Sequence, residues 1–273
     1  MTTTDAVAAE CREIVQVYPS ASGPVHALRG VSFTIRRGSL TAVIGPSGAG
    51  KSTLLRTLGG LERPAVGEVL IGGERTEHLS GRARRRLVGR RIGHVFQIPA
   101  HNLLDYLTVR DHVRLAWRMR ASEPPGAVDR LLAAAGLADL AAARPDDLAV
   151  GEQQRLAFAM AVAGDPDLVV ADEPTASLDP DGAAILIEML RDLTARGQTL
   201  VVSTHDHRLL DLADQVLVIR NGVLVAAGPR ELGPPAVIDT AGRLALDPAT
   251  LALFPDGRVR ITPDGDGIRV DRP

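Results

Sequence analysis

The run Gly45-Pro46-Ser47-Gly48-Ala49-Gly50-Lys51-Ser52-Thr53 limits what this chain can fold into more than any other stretch. It follows the apolar segment Leu40 to Ile44 and precedes the helix formers Leu54-Leu55-Arg56-Thr57-Leu58. A short buried strand ending in a glycine-rich turn leaves backbone N–H groups pointing into a concavity, and the next helix adds the positive end of its dipole. Phosphate oxygens fit such a nest. Glycine is needed wherever a β-carbon would keep phosphate away from the backbone. Lys51 is placed to reach the β- and γ-phosphates as a point charge, and the Ser52 hydroxyl to ligate a magnesium ion that bridges them. The run therefore reads as a loop for a nucleoside triphosphate, flanked by the strand and helix that such a loop requires.

Composition narrows the partners. A net charge of -2 over 273 residues gives no global attraction to nucleic acid or anionic lipid, so any such binding must be local. The single cysteine, Cys11, has no partner for an intrachain disulfide, which suits a reducing compartment. No apolar stretch approaches the length of a membrane span, and Asp5 and Glu10 stand where a signal peptide would be basic and then apolar. The expectation is a cytoplasmic chain, held at a membrane only by a partner. With aromatics at 3%, the core must be built from Leu, Val, Ile and Ala.

Periodicity then orders the chain. Glu13 to Tyr18 and His26 to Ile35 read as strands, the second with Val31, Phe33 and Ile35 alternating against Ser32 and Thr34. Gly67 to Gly72 and Ile92 to Phe96 read as further short strands, and the span from about 107 to 162 as helical. Leu168-Val169-Val170-Ala171 and Leu200-Val201-Val202-Ser203 are the continuous apolar runs of parallel strands buried on both faces, separated by an amphipathic helix, Ala183 to Thr194. Strands alternating with helices imply a parallel sheet with right-handed crossovers and ligands at the C-terminal strand ends. From about residue 229, Pro229, Gly233, Pro234 and Pro235 read as a linker to a separate β-rich extension.

One of those strands ends in Asp172-Glu173-Pro174. Adjacent carboxylates at the end of a buried strand are costly to desolvate unless a cation or proton compensates them. Asp172 is suited to hold magnesium, and Glu173, turned to another side by strand alternation, to polarise an attacking water. Alone, the pair also fits a plain turn with two solvated acids; beside the phosphate loop, the chemical reading prevails.

Gly45 to Ser52 taken with Asp172-Glu173 resembles the ATP-binding subunit of an ABC transporter, over about residues 12 to 228. The resemblance implies an α/β fold of the P-loop NTPase type: a mostly parallel sheet, an antiparallel β subdomain, an inserted helical subdomain and, here, a small β-rich C-terminal extension. It implies ATP and Mg2+ as cofactors and a membrane permease and a second ATP-binding subunit, identical or different, as partners. It also implies a place on the cytoplasmic face of the cell membrane. Gln97 resembles the glutamine that contacts the magnesium or water and faces the membrane partner. Ala176-Ser177-Leu178-Asp179 resembles the D-loop, His205 the switch histidine at the γ-phosphate, and Tyr18 the aromatic that stacks on adenine. Asp172-Glu173-Pro174-Thr175 and the loop Asn102 to Val109 resemble the branch of lipoprotein-release, macrolide-export and cell-division ATPases.

Two further readings stay beside transport. ATP-driven closure could switch a membrane partner with little turnover. Third comes a nucleic-acid-associated ATPase, resting on Arg82, Arg84, Arg85, Arg86, Arg90 and Arg91; these lack interleaved aromatics, so a solvated helix face and no nucleic acid are expected. In the extension, Asp239 to Leu246, Arg258 to Ile261 and Ile268 to Val270 resemble the swapped-hairpin modules of AbrB-like proteins, which dimerise. The alternative is an extension packed on its own ATPase domain.

One motif departs from the family. The signature expected as LSGGQ or LSGGE stands here as Leu148-Ala149-Val150-Gly151-Glu152. In the family this segment caps the ATP held by the opposite subunit. Ala149 brings no hydroxyl to a γ-phosphate, and a hydrogen bond to a charged group is worth about 1.5–3 kcal/mol. Val150 adds a branched side chain where close approach is wanted. Catalysis is thus expected to be reduced in a homodimer, or asymmetric in a heterodimer. Restoring the motif with Ala149→Ser and Val150→Gly is expected to raise ATP turnover with the normal partners present; an unchanged rate of phosphate release would count against a weakened signature.

Overall fold

The apolar runs become the middle of a parallel sheet. In the computed structural model, which describes residues 7–21, 23–121, 123–229, 237–238, 244–245, 260–264 and 267–271, β1 (Val7–Tyr18) and β2 (Val25–Arg36) pair antiparallel. β3 (Leu40–Ile44) leads through the glycine-rich loop into α1 (Lys51–Leu58), and β4 (Val66–Ile71) and β5 (Glu74–Arg75) return to β1. Then come α2 (Gly81–Arg91), β6 (Ile92–Val95), α3 (Val109–Arg120), α4 (Ala127–Ala134) and α5 (Val150–Val162). The sheet is completed by β7 (Leu168–Asp172), α6 (Pro180–Ala195), β8 (Leu200–Ser203), α7 (His207–Leu212), β9 (Gln215–Arg220) and β10 (Val223–Pro229). The chain gathers into two units, Met1–Arg230 and Glu231–Pro273.

The main sheet runs β10-β9-β3-β8-β7-β6, with every pair parallel except β10 on β9. A second, antiparallel sheet runs β2-β1-β4-β5. Central strands β3, β7 and β8 are buried along nearly their whole length, as two covered faces demand. β2 alternates, with Val31, Phe33 and Ile35 inward. Its inner face, Ile14 of β1, Val69 and Ile71 of β4, and Leu54, Leu55 and Leu58 of α1 share one core with Val43, Val170, Val201 and Leu217 of the main sheet. The phosphate-loop helix is thus gripped on its apolar side by both sheets.

Strand β1 starts earlier than the alternation predicts. Its buried residues Ala8, Ala9, Cys11 and Ile14 do not keep period two, because the pairing register slips between Cys11 and Ile14, where Glu13 has φ 50°. An irregularity of this kind hides a strand from a periodicity test. The hairpin of β9 and β10, turning at Asn221-Gly222, also lies beyond the strands expected above. α2 carries the arginine cluster with Leu87 as its one buried residue. Among the described residues, no helix is long and apolar enough to cross a membrane.

In the helical region α3 buries Val109, His112, Val113 and Ala116, the i, i+3, i+4, i+7 stripe of a one-faced helix. α5 is buried over Gln154–Ala159 and again at Ala161 and Val162, so it is the helix around which this region is built. The Arg120 guanidinium ties the parts together: it donates to the carbonyls of Met160 (2.8 Å), Ala163 (2.7 Å) and Ile92 (3.2 Å). Burial lowers its pKa to about 10, still protonated at neutral pH.

In the smaller unit Val237–Ile238 pairs antiparallel with Leu244–Ala245, and Arg260–Asp264 with Gly267–Asp271. Much of the AbrB-like stretch, 239–243, 246–259 and 265–266, and the linker 230–236 lie outside the described residues.

Arg120 and His94, both half-buried, hold backbone carbonyls. Arg120→Ala leaves three carbonyls without their donor and is expected to lower stability by about 3 kcal/mol in urea unfolding, on the scale of charged hydrogen bonds lost. His94 donates from Nε2 to the Gly59 carbonyl at 2.9 Å, and burial depresses its pKa to about 4. The unfolded chain binds a proton near pH 6.5 that the folded chain refuses, so this contribution is complete above pH 6.5 and is lost as pH falls toward 4. The full difference corresponds to about 3 kcal/mol. Unfolding of His94→Gln at pH 7.5 and at pH 5 should show a correspondingly shallower acid loss than the unchanged chain.

Candidate functional site

β3 delivers the chain to Gly45, whose φ of 153° and close approach to β9 exclude a side chain: a β-carbon there would sit 2.1 Å from the Ile219 carbonyl oxygen. Gly50, with φ 105°, caps α1, and a β-carbon on it would sit 2.5 Å from the Ala27 carbonyl oxygen. Between them the loop is held by its neighbours. The Gly222 N–H donates to Ala49 O at 2.9 Å, while Arg29 N–H donates to Gly222 O at 2.8 Å, joining the β9–β10 turn to the loop and to β2.

Ser47 through Thr53 line a cavity of about 990 Å³. Tyr18, Gln97, Asp172, Glu173 and His205 line it as well, so one space gathers residues 187 positions apart in sequence, from Tyr18 to His205. Gly45 and Pro46 stand behind the loop and take the Lys51 ammonium, with Nζ 2.8 Å from Gly45 O and 3.3 Å from Pro46 O. Lys51 is buried, and its Nζ lies 3.3 Å from His205 Nε2 and 4.0 Å from Glu173 Oε1. His205 Nε2 lies 3.2 Å from that same Glu173 oxygen. One ring nitrogen cannot accept from Lys51 and donate to Glu173 at once, so the two contacts are alternatives set by the proton on His205.

The acid pair is set by β7. Asp172 is its last residue and pairs with Ser203 of β8; Glu173 follows in the left-handed region, φ 47°. That conformation costs roughly 1–2 kcal/mol for a residue with a β-carbon. It turns the Glu173 carboxylate toward Lys51 and His205. Hard oxygen donors suit Mg2+, which is held through one or two carboxylates plus substrate phosphate and keeps several waters. The Ser52 hydroxyl, the Asp172 carboxylate and the Gln97 amide oxygen, all on this cavity, are such a set.

Tyr18 ends β1 at the cavity wall. Its hydroxyl donates to Glu62, whose carboxylate also pairs with Arg56 at 2.6 Å. Burial, and then the Glu62 bond, raise its pKa, with Thr53 opposing, so the phenol is neutral at physiological pH. Gln97 is exposed just beyond β6. The loop after it is anchored by Asn102, which accepts from Phe96 N and donates to His94 O. His112 fixes the next stretch, accepting Leu104 N–H at Nε2 and donating from Nδ1 to Thr108 O, a neutral tautomer whose pKa burial lowers.

The signature residues do not join this cavity. Ala149 precedes α5 with no side-chain oxygen for the helix N-terminus; the Glu152 carboxylate instead accepts the Ala149 N–H at 2.8 Å. Val150 is 55% exposed, and Gly151 lies against Leu178 and Ser177. Asp179 is likewise away from the cavity wall: its Oδ1 accepts Gly182 N–H at 3.0 Å and caps α6. Sequence reasoning missed Glu62, Asn221, Gly222 and Ser203. Asn221-Gly222 is a turn dipeptide, which signals a hairpin but not where it lands. Nothing local marks Glu62 or Ser203.

A family model described as ABC transporter matches residues 28–176. An uncharacterised ABC transporter ATP-binding protein of Thermotoga maritima is 41% identical over 216 residues, covering 78% of this chain and 92% of that protein. The lipoprotein-releasing system ATP-binding protein LolD of Anaeromyxobacter dehalogenans is 41% identical over 215 residues, covering 76% and 89%. The solved dimeric structure of the ATP-binding cassette MJ0796, in a post-hydrolysis state with ADP and Pi, superposes with a TM-score of 0.74 at 29% identity, covering 81% of this chain and 98% of that one. The matched span takes in the glycine-rich loop and Asp172-Glu173, and the chain belongs to the ABC transporter family as an ATP-binding cassette.

Proposed function

We propose that this chain is the ATP-hydrolysing subunit that powers an ABC permease, working as a nucleotide-sandwich dimer. The observation that carries the reading is the convergence of Lys51, Glu173 and His205, within 3.2–4.0 Å of one another, on the cavity lined by the phosphate loop. Loop amides and the α1 N-terminus receive the β- and γ-phosphates, and Lys51 exchanges its two carbonyl partners for phosphate oxygen. Tyr18 packs against the base. Ser52, Asp172 and Gln97 would hold Mg2+, which would supply positive charge against the triphosphate. Glu173 orients and deprotonates the attacking water, and His205 contacts the γ-phosphate with the proton that decides its partner.

The signature faces outward from this site, which supports its use on a nucleotide held by a second ATP-binding subunit; the structural relative is itself a dimer. After Gln97, Ile98 and Tyr106 are 55% and 71% exposed. Apolar side chains displayed beside the Mg2+ ligand fit a membrane permease as partner, and so a place on the cytoplasmic face of the membrane. The likeness to LolD supports the lipoprotein-release branch. A second reading, a slow switch on the same partner, is favoured by one observation: Ala149 leaves the N-terminus of α5 without a side-chain cap.

Glu173→Gln is expected to reduce phosphate release by about 100-fold or more, the scale of a general base, while ATP binding persists. The variant should accumulate as an ATP-dependent dimer by light scattering. Turnover equal to that of the unchanged chain would refute the role of Glu173.

A further inference from the structure

Ser203, the last residue of β8, is completely buried, and both hydrogen-bonding functions of its hydroxyl are committed to the acid pair. Its Oγ–H donates to Asp172 Oδ1 at 2.5 Å, and its Oγ accepts the Glu173 N–H at 2.9 Å. That N–H also lies 3.1 Å from the Ser203 carbonyl oxygen, so one residue of β8 receives the Glu173 amide twice. The contact is forced by pairing, since Asp172 and Ser203 are register partners between β7 and β8. A carboxylate can only accept, so the single serine proton must point to Asp172 and the lone pair to Glu173. The direction of both bonds is therefore fixed.

We propose that Ser203 is a positioning residue for the hydrolytic site, an inference that rests on the ATPase reading above. Its proton occupies Asp172 Oδ1, fixes the rotation of that carboxylate and reserves Oδ2 for the cation. Its lone pair anchors the amide of Glu173, the residue in the left-handed conformation that brings the general base to Lys51 and His205. A single hydroxyl thus couples the angle of the cation ligand to that of the base. An apolar side chain at 203 fills the space without setting either. Outer-shell partners that orient a metal-binding carboxylate commonly govern metal affinity.

The test uses the full chain, with Ser203→Ala removing the hydroxyl and Ser203→Thr keeping it. Mn2+ is titrated by electron paramagnetic resonance in the presence of a non-hydrolysable ATP analogue, and metal-free nucleotide binding is measured in EDTA with a fluorescent ATP. Ser203→Ala is expected to weaken Mn2+ on the order of 10- to 100-fold while changing metal-free nucleotide affinity by less than about twofold. The Mg2+ needed for half-maximal turnover should rise in proportion, and Ser203→Thr should recover most of the loss. Because an added methyl could unfold a buried site, a second measurement stands beside it. In an Asp172→Asn chain, Ser203→Ala should cause no further loss of Mn2+ affinity. Unchanged Mn2+ affinity in Ser203→Ala, or equal losses of Mn2+ and metal-free nucleotide binding, would overturn the proposal. A chain that binds Mn2+ and nucleotide but never releases phosphate would refute the ATPase reading, and the Mn2+ comparison would still decide Ser203.

Discussion

The site depends on the parallel pairing of three buried strands. β3, β7 and β8 lie side by side in a register that sets Val43 opposite Ser203 and Ser203 opposite Asp172. Each strand ends at the same level and each hands over one part of the chemistry: the phosphate loop from β3, the acid pair from β7, Ser203 and then His205 from β8. A parallel sheet gives this for little, because its crossover helices return every strand in the same direction and leave all the carboxyl ends along one edge. A slip of one residue between β7 and β8 would turn Asp172 away from Ser203 and move every side chain of the slipped strand to the opposite face.

Around that edge the structure fixes backbone more than side chains. Gly45 and Gly50 exist to let backbone pass within van der Waals distance of the Ile219 and Ala27 carbonyls, and Gly222 then ties the loop to β2 and the β9–β10 turn. The nest for phosphate is held from both sheets, so the antiparallel sheet belongs to the phosphate site. The charged groups are more adaptable. Lys51 sits on carbonyl oxygens of its own loop and touches both His205 and Glu173, which gives the ammonium partners that phosphate can replace.

The helical region follows a different logic. α5 is enclosed by its neighbours, yet its N-terminus is exposed at Ala149 and Val150, with Gly151 half-buried against Leu178. Burial of the body and exposure of the tip make α5 a rigid post for whatever its N-terminus meets. The Arg120 guanidinium ties the other end to β6, donating to the Met160 and Ala163 carbonyls and to that of Ile92.

Much of this was legible in the chain itself. The glycine spacing of residues 45–53, the apolar runs before Asp172 and at 200–203, and the stripe on α3 follow from rules that act within a few residues: φ freedom, period and buried-strand composition. They determined the fold class and marked the glycine-rich loop and the acid pair that line one cavity. The slipped register of β1 escaped because a bulge breaks the period by which strands are recognised. Glu62, Gly222 and Ser203 escaped for another reason: each acts on a partner 30 or more positions away, and only Gly222 carries a local mark, a turn signal that does not say where the turn lands. Asp179, read from the sequence as a nucleotide contact, also caps α6, a second role that appears only once the helix start is placed. The sequence by itself determined which groups are present and what they can do; only the tertiary structure decided which of them face one another, because strand pairing, and not distance along the chain, brings their atoms within hydrogen-bonding reach.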